Sequence, residues 1–241
     1  MELTTHQTTN IQMTPINQVI KSLTSPITHQ TTNNEELQKR RQEYKKELDE
    51  HKQRLHQQEL NKIIQKSCLP TRYIKKNISD YIITNNNKQA LNALNNSANS
   101  FYIYGDCGAG KTYLACLVAK DSASRSLKSL YFFTATNLIY ILNPYKSNLL
   151  QEDKERQYSR HQIYNCGVLV IDDLGVENSN SFNQSILFDI INHRYNENLQ
   201  TIITSNFEIK ALQNRLSSYE GSRIGRRITE MCKPIFLKPF S

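Results

Sequence analysis

Phe101-Tyr102-Ile103-Tyr104 runs directly into Gly105-Asp106-Cys107-Gly108-Ala109-Gly110-Lys111-Thr112, and then into Tyr113-Leu114-Ala115-Cys116-Leu117-Val118-Ala119-Lys120. The first four residues read as a short buried strand and the last eight as the start of a helix. Between them stands the spacing G-x-x-x-x-G-K-[ST], in the strand–loop–helix context that gives it meaning. Glycines at 108 and 110 let successive backbone N–H groups turn into one concavity, which is a nest for an anion. The helix that follows adds the positive end of its dipole. Residues 105–113 are therefore the expected nucleotide-binding segment. Lys111 is expected to reach the β- and γ-phosphates of ATP, and the Thr112 hydroxyl to ligate Mg²⁺.

A second stretch completes the pattern. Gly167-Val168-Leu169-Val170-Ile171-Asp172-Asp173-Leu174-Gly175 is an apolar strand that ends in two acids. Strands buried on both faces of a parallel sheet are continuously hydrophobic, and ligands gather at their carboxyl ends. Asp172 is expected beside the phosphate loop as a metal residue, holding Mg²⁺ through water. Asp173 is expected to orient or deprotonate the attacking water. The strand Thr201-Ile202-Ile203-Thr204 then delivers Ser205-Asn206 to the same edge. An amide at 206 can hydrogen-bond both that water and a γ-phosphate oxygen. Strands over 101–104, 129–134, 168–171 and 201–204 alternate with helices over about 111–124, 136–143 and 181–196. The fold class is thus α/β, a P-loop ATPase core whose parallel sheet is flanked by helices, with a helical extension before it.

That extension falls into two parts. Residues 1–34 are rich in Thr, Gln and Asn and carry little that can form a core, so they read as a flexible segment. Within them Thr14-Pro15 starts a short amphipathic helix, about 15–23, whose Ile16, Val19, Ile20 and Leu23 share a face. Residues 35–66 read as one long charged helix, with Glu36–Arg40 and Glu50–Arg54 at i,i+4 spacing. Leu37, Tyr44, Leu48 and Leu55 give it a thin heptad seam. Cys68-Leu69-Pro70 breaks this helix, a second helix runs from Lys88 to about Ala98, and residues 67–241 form the core domain.

Composition sets the outer bounds. The chain has 241 residues, 30 Lys+Arg against 22 Asp+Glu, and a net charge of +8. No apolar run is long enough to span a membrane and the N-terminus lacks a secretory pattern, so the expected location is the cytoplasm. Cys68, Cys107, Cys116, Cys166 and Cys232 form no C-x-x-C pair and read as reduced thiols rather than zinc ligands. Divided by region, residues 1–100 carry 14 basic and 9 acidic side chains, residues 101–200 carry 9 and 10, and residues 201–241 carry 7 and 3. The basic excess lies in the extension and the tail, not in the middle.

The ordered set of phosphate loop, VLVIDDLG and TIITSNF, with His193-Arg194-Tyr195 in the preceding helix, resembles the AAA+ ATPases of the DnaC/DnaI helicase-loader group. The IstB-type transposition ATPases are close cousins. Ser67-Cys68-Leu69-Pro70-Thr71-Arg72-Tyr73 is similar to the S-G-I-P-x-R-Y segment ahead of the core in that group. Gly221-Ser222-Arg223-Ile224-Gly225-Arg226-Arg227-Ile228 is similar to its arginine-finger segment. The resemblance implies Arg227, or less well Arg223, as a finger supplied to a neighbouring subunit, hence self-association through that interface. Arg226 stands where the family has an acid. The family's tail arginine is missing from residues 233–241, so either Lys238 substitutes or a cis sensor is absent. The implied activity is slow, Mg-dependent ATP hydrolysis, stimulated by DNA or assembly. The implied task is to bind a replicative DNA helicase hexamer through the N-terminal helices and deliver it onto single-stranded DNA at initiation or restart. Tyr145, Lys146 and Phe182 are the expected DNA contacts. The alternatives are an IstB-type ATPase that binds duplex DNA and a transposase, and a nucleotide-binding adaptor without significant hydrolysis.

Overall fold

Strands such as Val168-Leu169-Val170-Ile171 must be covered on both faces, so a sheet built from them needs a helical layer above and another below. The computed structural model of the chain describes residues 34–84, 87–88, 90–96, 98–143, 160–177, 180–216 and 219–239, and has this form. Its sheet comprises β1 (Ser100–Gly105), β2 (Leu130–Thr134), β3 (Val168–Leu174), β4 (Gln200–Ser205) and β5 (Cys232–Leu237). The order is β2-β3-β4-β1-β5 and every neighbouring pair is parallel. All five strands therefore present their carboxyl ends at one edge, where the loops after β1, β3 and β4 lie side by side.

The fifth strand was not expected. Lys233 and Pro234 interrupt its apolar pattern, and residues 233, 234 and 236 are exposed while 232, 235 and 237 are buried. An edge strand tolerates this, since a proline there removes no needed ladder bond and a lysine blunts the open edge. At the opposite edge the Ser67 carbonyl accepts the Phe132 amide at 2.8 Å.

Helices α4 (Lys111–Ser126), α5 (Ala135–Leu142) and α7 (Ser181–Asn196) fall close to their expected spans. Two of them start on side-chain caps: Thr134 Oγ1 accepts the Asn137 amide at 3.2 Å, and Asn180 Oδ1 accepts the Asn183 amide at 2.7 Å. The helix expected from Lys88 to Ala98 is shorter, α3 (Ala90–Asn95). Short helices α2 (Thr71–Ile74) and α6 (Arg160–Asn165), with α8 (Ile209–Leu216) and α9 (Tyr219–Met231), complete the core. One face of the sheet packs Phe101, Ile103, Phe132 and Val170 against Leu114, Leu117 and Val118 of α4. The other packs Leu169, Ile171 and Ile203 against Leu138 of α5, Leu187 and Ile191 of α7 and Ile224 and Ile228 of α9.

The chain divides into two compact units, residues 1–51 and 52–241. The long helix α1 runs Asn34–Lys66. Glu36 pairs with Arg40 as expected, at 3.1 Å, whereas Glu50 pairs with Lys46 at 4.0 Å rather than with Arg54. Leu37, Tyr44, Leu48 and Leu55 are all exposed. In the second unit Ile63 and Ile64 join the core. The amphipathic segment 15–23 lies outside the described residues. No described helix is long and apolar enough to cross a membrane.

Candidate functional site

The loop after β1 is shaped by its glycines and by the neighbouring strand. Gly105 has φ 144, and a Cβ there would collide with the backbone carbonyl of Leu237, its partner on β5. Gly110 has φ 83 and stands at the N-cap of α4. Only glycine combines that left-handed geometry with so close an approach. Lys111 is buried, and its Nζ donates to the carbonyls of Gly105 at 3.0 Å and Asp106 at 2.8 Å. An ammonium so held lies along the loop beneath exposed Asp106, Cys107 and Gly108.

One residue on, the Thr112 hydroxyl meets the Asp172 carboxylate at 2.9 Å and 3.1 Å. Asp172 is buried near the end of β3. Burial pushes its carboxyl above the ordinary range, and hydrogen bonds from Thr204 and Thr112 pull it back. A hydroxyl and a carboxylate in contact, both hard oxygen donors, fit a magnesium ion. Among the described residues no cluster of three or more His, Cys, Asp or Glu side chains is placed to hold a metal by itself. A cation here would take most of its remaining ligands from phosphate and water.

Asp173 has φ 56, and its amide donates to Thr204 Oγ1 at 2.9 Å. The turn that carries Asn206 is tied on both sides. Ser205 Oγ donates to the Leu174 carbonyl at 2.7 Å, and the Tyr102 hydroxyl donates to the Phe207 carbonyl at 2.7 Å. Because β4 lies between β3 and β1, exposed Asn206 stands at the edge between the two acids and the glycine loop.

The expected residues thus separate into groups. The loop 105–112, Asp172, Asp173 and Asn206 come together at one sheet edge. Tyr113 stands in the first turn of α4, and its ring belongs to a tyrosine cluster, 5.3 Å from Tyr73 and 5.8 Å from Tyr81. Phe182 is exposed in the first turn of α7, just after the loop that follows β3. Tyr145 and Lys146 lie outside the described residues. Arg223 and Arg227 are not brought to this edge. Arg227 packs on the C-terminal half of α7, with Nε on Asn192 at 2.9 Å, Nη1 on Glu230 at 2.8 Å and its guanidinium 4.3 Å from the Tyr195 ring. There α7 is about to enter β4 and α9 is about to enter β5, so Arg227 lies toward the amino edge of the sheet. Arg223 is one turn nearer the carboxyl edge, its guanidinium 3.8 Å from the Phe188 ring. Glu230 also accepts from Arg226 at 2.9 Å, and these two arginines hold its carboxyl well down, at about 2.

Three supporting residues escaped the sequence reading. Thr204 is one, a hydroxyl near the carboxyl end of β4. Lys120 is another: its Nζ donates to the carbonyls of Tyr73 at 3.4 Å, Ile74 at 2.5 Å and Lys76, pinning the segment ahead of the core onto α4. The third is Arg194, which is fully buried. Its guanidinium donates to Thr201 Oγ1 at 2.9 Å, to the carbonyls of Tyr164 and Cys166 at 3.0 Å each, and to that of Gln200 at 2.5 Å. The His-Arg-Tyr triplet marked the family, yet nothing in its spacing reveals that the arginine is a clamp between α6, α7 and β4.

Comparison with known proteins shows which family the chain is similar to. A family model described as IstB-like ATP binding protein matches residues 16–221. The replicative helicase loader DnaI of Bacillus subtilis (strain 168) is 24% identical over 145 residues, which make up 56% of this chain and 45% of DnaI. The chromosomal replication initiator protein DnaA of Campylobacter jejuni (strain 81116) is 30% identical over 150 residues, 57% of this chain and 33% of DnaA. The matched stretch therefore spans less than half the length of these curated relatives. Among solved structures, DnaI aligns with a TM-score of 0.57 at 26% identity, covering 71% of this chain and 96% of that one. The DnaC helicase loader aligns at 0.56 and 25% identity, covering 70% and 100%. AMPPCP-bound DnaA from Aquifex aeolicus shares the fold, with a TM-score of 0.54 at 19% identity and coverage of 71% and 52%.

Proposed function

This chain belongs to the IstB-like ATP binding protein family, and from that premise we propose that it is an ATP-hydrolysing loader of the replicative DNA helicase. The observation that carries the reading is the meeting of Lys111, Thr112, Asp172, Asp173 and Asn206 at one sheet edge, in a chain similar to DnaI and DnaC. The loop amides of residues 105–113 and Lys111 bind the ATP phosphates. Thr112 and Asp172 would hold Mg²⁺, which when bound would supply charge neutralisation for the phosphates. Asp173 orients the attacking water and accepts its proton, and Asn206 holds that water and a γ-oxygen. The water oxygen bonds to the γ-phosphorus, the bond to the β,γ-bridging oxygen breaks, and ADP and phosphate leave.

Arg227 acts on the site of a neighbouring subunit. Its place toward the amino edge, away from its own glycine loop, supports a role in trans, so self-association would switch hydrolysis on. Arg223 is the second candidate at the same interface. The extension over residues 1–66, including segment 15–23, grips the helicase hexamer by laying apolar helix faces in a groove. Single-stranded DNA is contacted by Phe182, Tyr145 and Lys146. These tasks place the protein in the cytoplasm.

A second reading has one specific observation in its favour, the family match itself, since the family is described by an IstB-like member. It is a transposition ATPase that works with duplex DNA and a transposase. Size-exclusion chromatography of the full chain with its host's replicative helicase separates the two. A co-eluting complex that is lost when residues 1–66 are deleted supports the loader. Absence of any complex, with binding to duplex DNA and a transposase instead, overturns it.

A further inference from the structure

Strands β3 and β4 are in register from Val168 opposite Gln200 to Ile171 opposite Ile203, and pairing resumes at Leu174 opposite Ser205. Between the matched pairs, β3 holds two residues, Asp172 and Asp173, and β4 holds one, Thr204. This is a one-residue bulge, a device that re-aims a side chain and recurs beside active sites. It falls on the two acids. Asp173 adopts φ 56, a conformation unfavourable for a residue with a Cβ unless its surroundings hold it there.

A single hydroxyl reaches both halves of the bulge. Thr204 Oγ1 accepts the Asp173 amide at 2.9 Å and donates to Asp172 Oδ1 at 2.6 Å. Thr204 is fully buried, so its hydroxyl has no water partner to compete with these two bonds. A regular ladder would have given the Asp173 amide a backbone carbonyl, and the bulge takes that partner away. The hydroxyl replaces the missing acceptor and spends its own proton on the neighbouring acid. Valine has nearly the same shape and would pack as well, but could make neither bond.

We propose that Thr204 is a positioning residue for ATP hydrolysis: its hydroxyl sets the bulge and thereby fixes the aim of Asp173 relative to Asp172. The inference rests on the reading of Asp173 as the group that orients water, and it adds a residue that touches neither nucleotide nor water.

The test compares Thr204→Val, Thr204→Ser and Asp173→Asn in the full chain. ATP turnover and ATP affinity are measured, with hydrogen–deuterium exchange at the Asp173 amide in protein without nucleotide. In Thr204→Val, kcat is expected to fall about tenfold or more while KM and ATP affinity stay within about threefold, because orientation and not binding is lost. Exchange at the Asp173 amide should quicken by about tenfold or more. Thr204→Ser keeps the hydroxyl and should restore both readouts. Wild-type turnover and exchange in Thr204→Val, or a Thr204→Ser as impaired as the valine variant, overturns the proposal. Full turnover in Asp173→Asn refutes the reading of Asp173 instead, and the exchange measurement then decides whether Thr204 holds the bulge. If the valine variant fails to fold by its thermal melt, Thr204→Ala against Thr204→Ser carries the same comparison.

Discussion

Replacing Arg194 by methionine removes a guanidinium but leaves its surroundings in place, which makes the cost calculable. Three carbonyls, those of Tyr164, Cys166 and Gln200, lose a donor supplied by a fully buried side chain. Thr201 Oγ1 loses one incoming bond but keeps its own donation to the Leu199 carbonyl at 3.0 Å. Each orphaned carbonyl costs about 1–3 kcal/mol when buried, and that of Tyr164 is only partly so. The lower end of that range applies, because methionine also removes a buried charge that has no carboxylate among its hydrogen-bond partners and whose burial lowers its pKa. The expected loss is about 3 kcal/mol, or roughly 6–12 °C in melting temperature for a chain of this size. Arg194→Lys should recover only part of this, since a point ammonium cannot span acceptors that a planar fork reaches. Urea titration followed by circular dichroism, at one protein concentration for all variants, measures the difference. A loss in Arg194→Met below about 1 kcal/mol would refute the assignment of Arg194 as a clamp.

Lys111→Ala should abolish ATP binding, measured by titration with a fluorescent ATP analogue, and unchanged affinity would remove the phosphate-loop assignment. Gly105→Ala should cost about 3 kcal/mol or more in a denaturant melt, since the methyl meets the Leu237 backbone at a left-handed φ. Asp172→Asn should stabilise the nucleotide-free protein at neutral pH by about 1 kcal/mol while Mg-dependent nucleotide binding is lost. The sign follows from burial raising the Asp172 pKa. Its contribution to stability is present in full below the unfolded-state pKa and is lost as pH rises through the folded one, a loss that asparagine does not share. Thermal melts from acid to neutral pH with both proteins check this. Arg227→Ala should leave ATP binding intact and lower turnover by about tenfold or more when subunits assemble, and equal turnover would dismiss it as the finger.

The glycine loop, the acid pair and the strand–helix alternation were legible because each is a local pattern with one physical reading. Asn206 became legible only as the residue after the strand that follows the acid strand. β5 was hidden because an edge strand needs only alternate buried residues, and Lys233 and Pro234 broke even that weak signal. Thr204 and Arg194 were hidden for another reason. A threonine in a strand and an arginine late in a helix are both common, and what sets these two apart is the register or burial that only the assembled sheet supplies. The seam of α1 was legible as a pattern, but a heptad spacing gives a direction and no partner, and its four apolar residues remain exposed in the described chain.

The order of the sheet has a consequence for how the protein is made. β1 is flanked by β4, about one hundred residues later in the chain, and by β5, later still. The strand that carries the glycine loop is therefore among the last to acquire both neighbours as the polypeptide leaves the ribosome. Leu237, against which Gly105 closes, is not available until every residue between the two has been synthesised. A truncated or stalled chain would hold the complete phosphate-loop sequence without the bed that shapes it. Competence for nucleotide would then wait on β5, and any nucleotide bound would in turn stabilise the finished sheet by mass action.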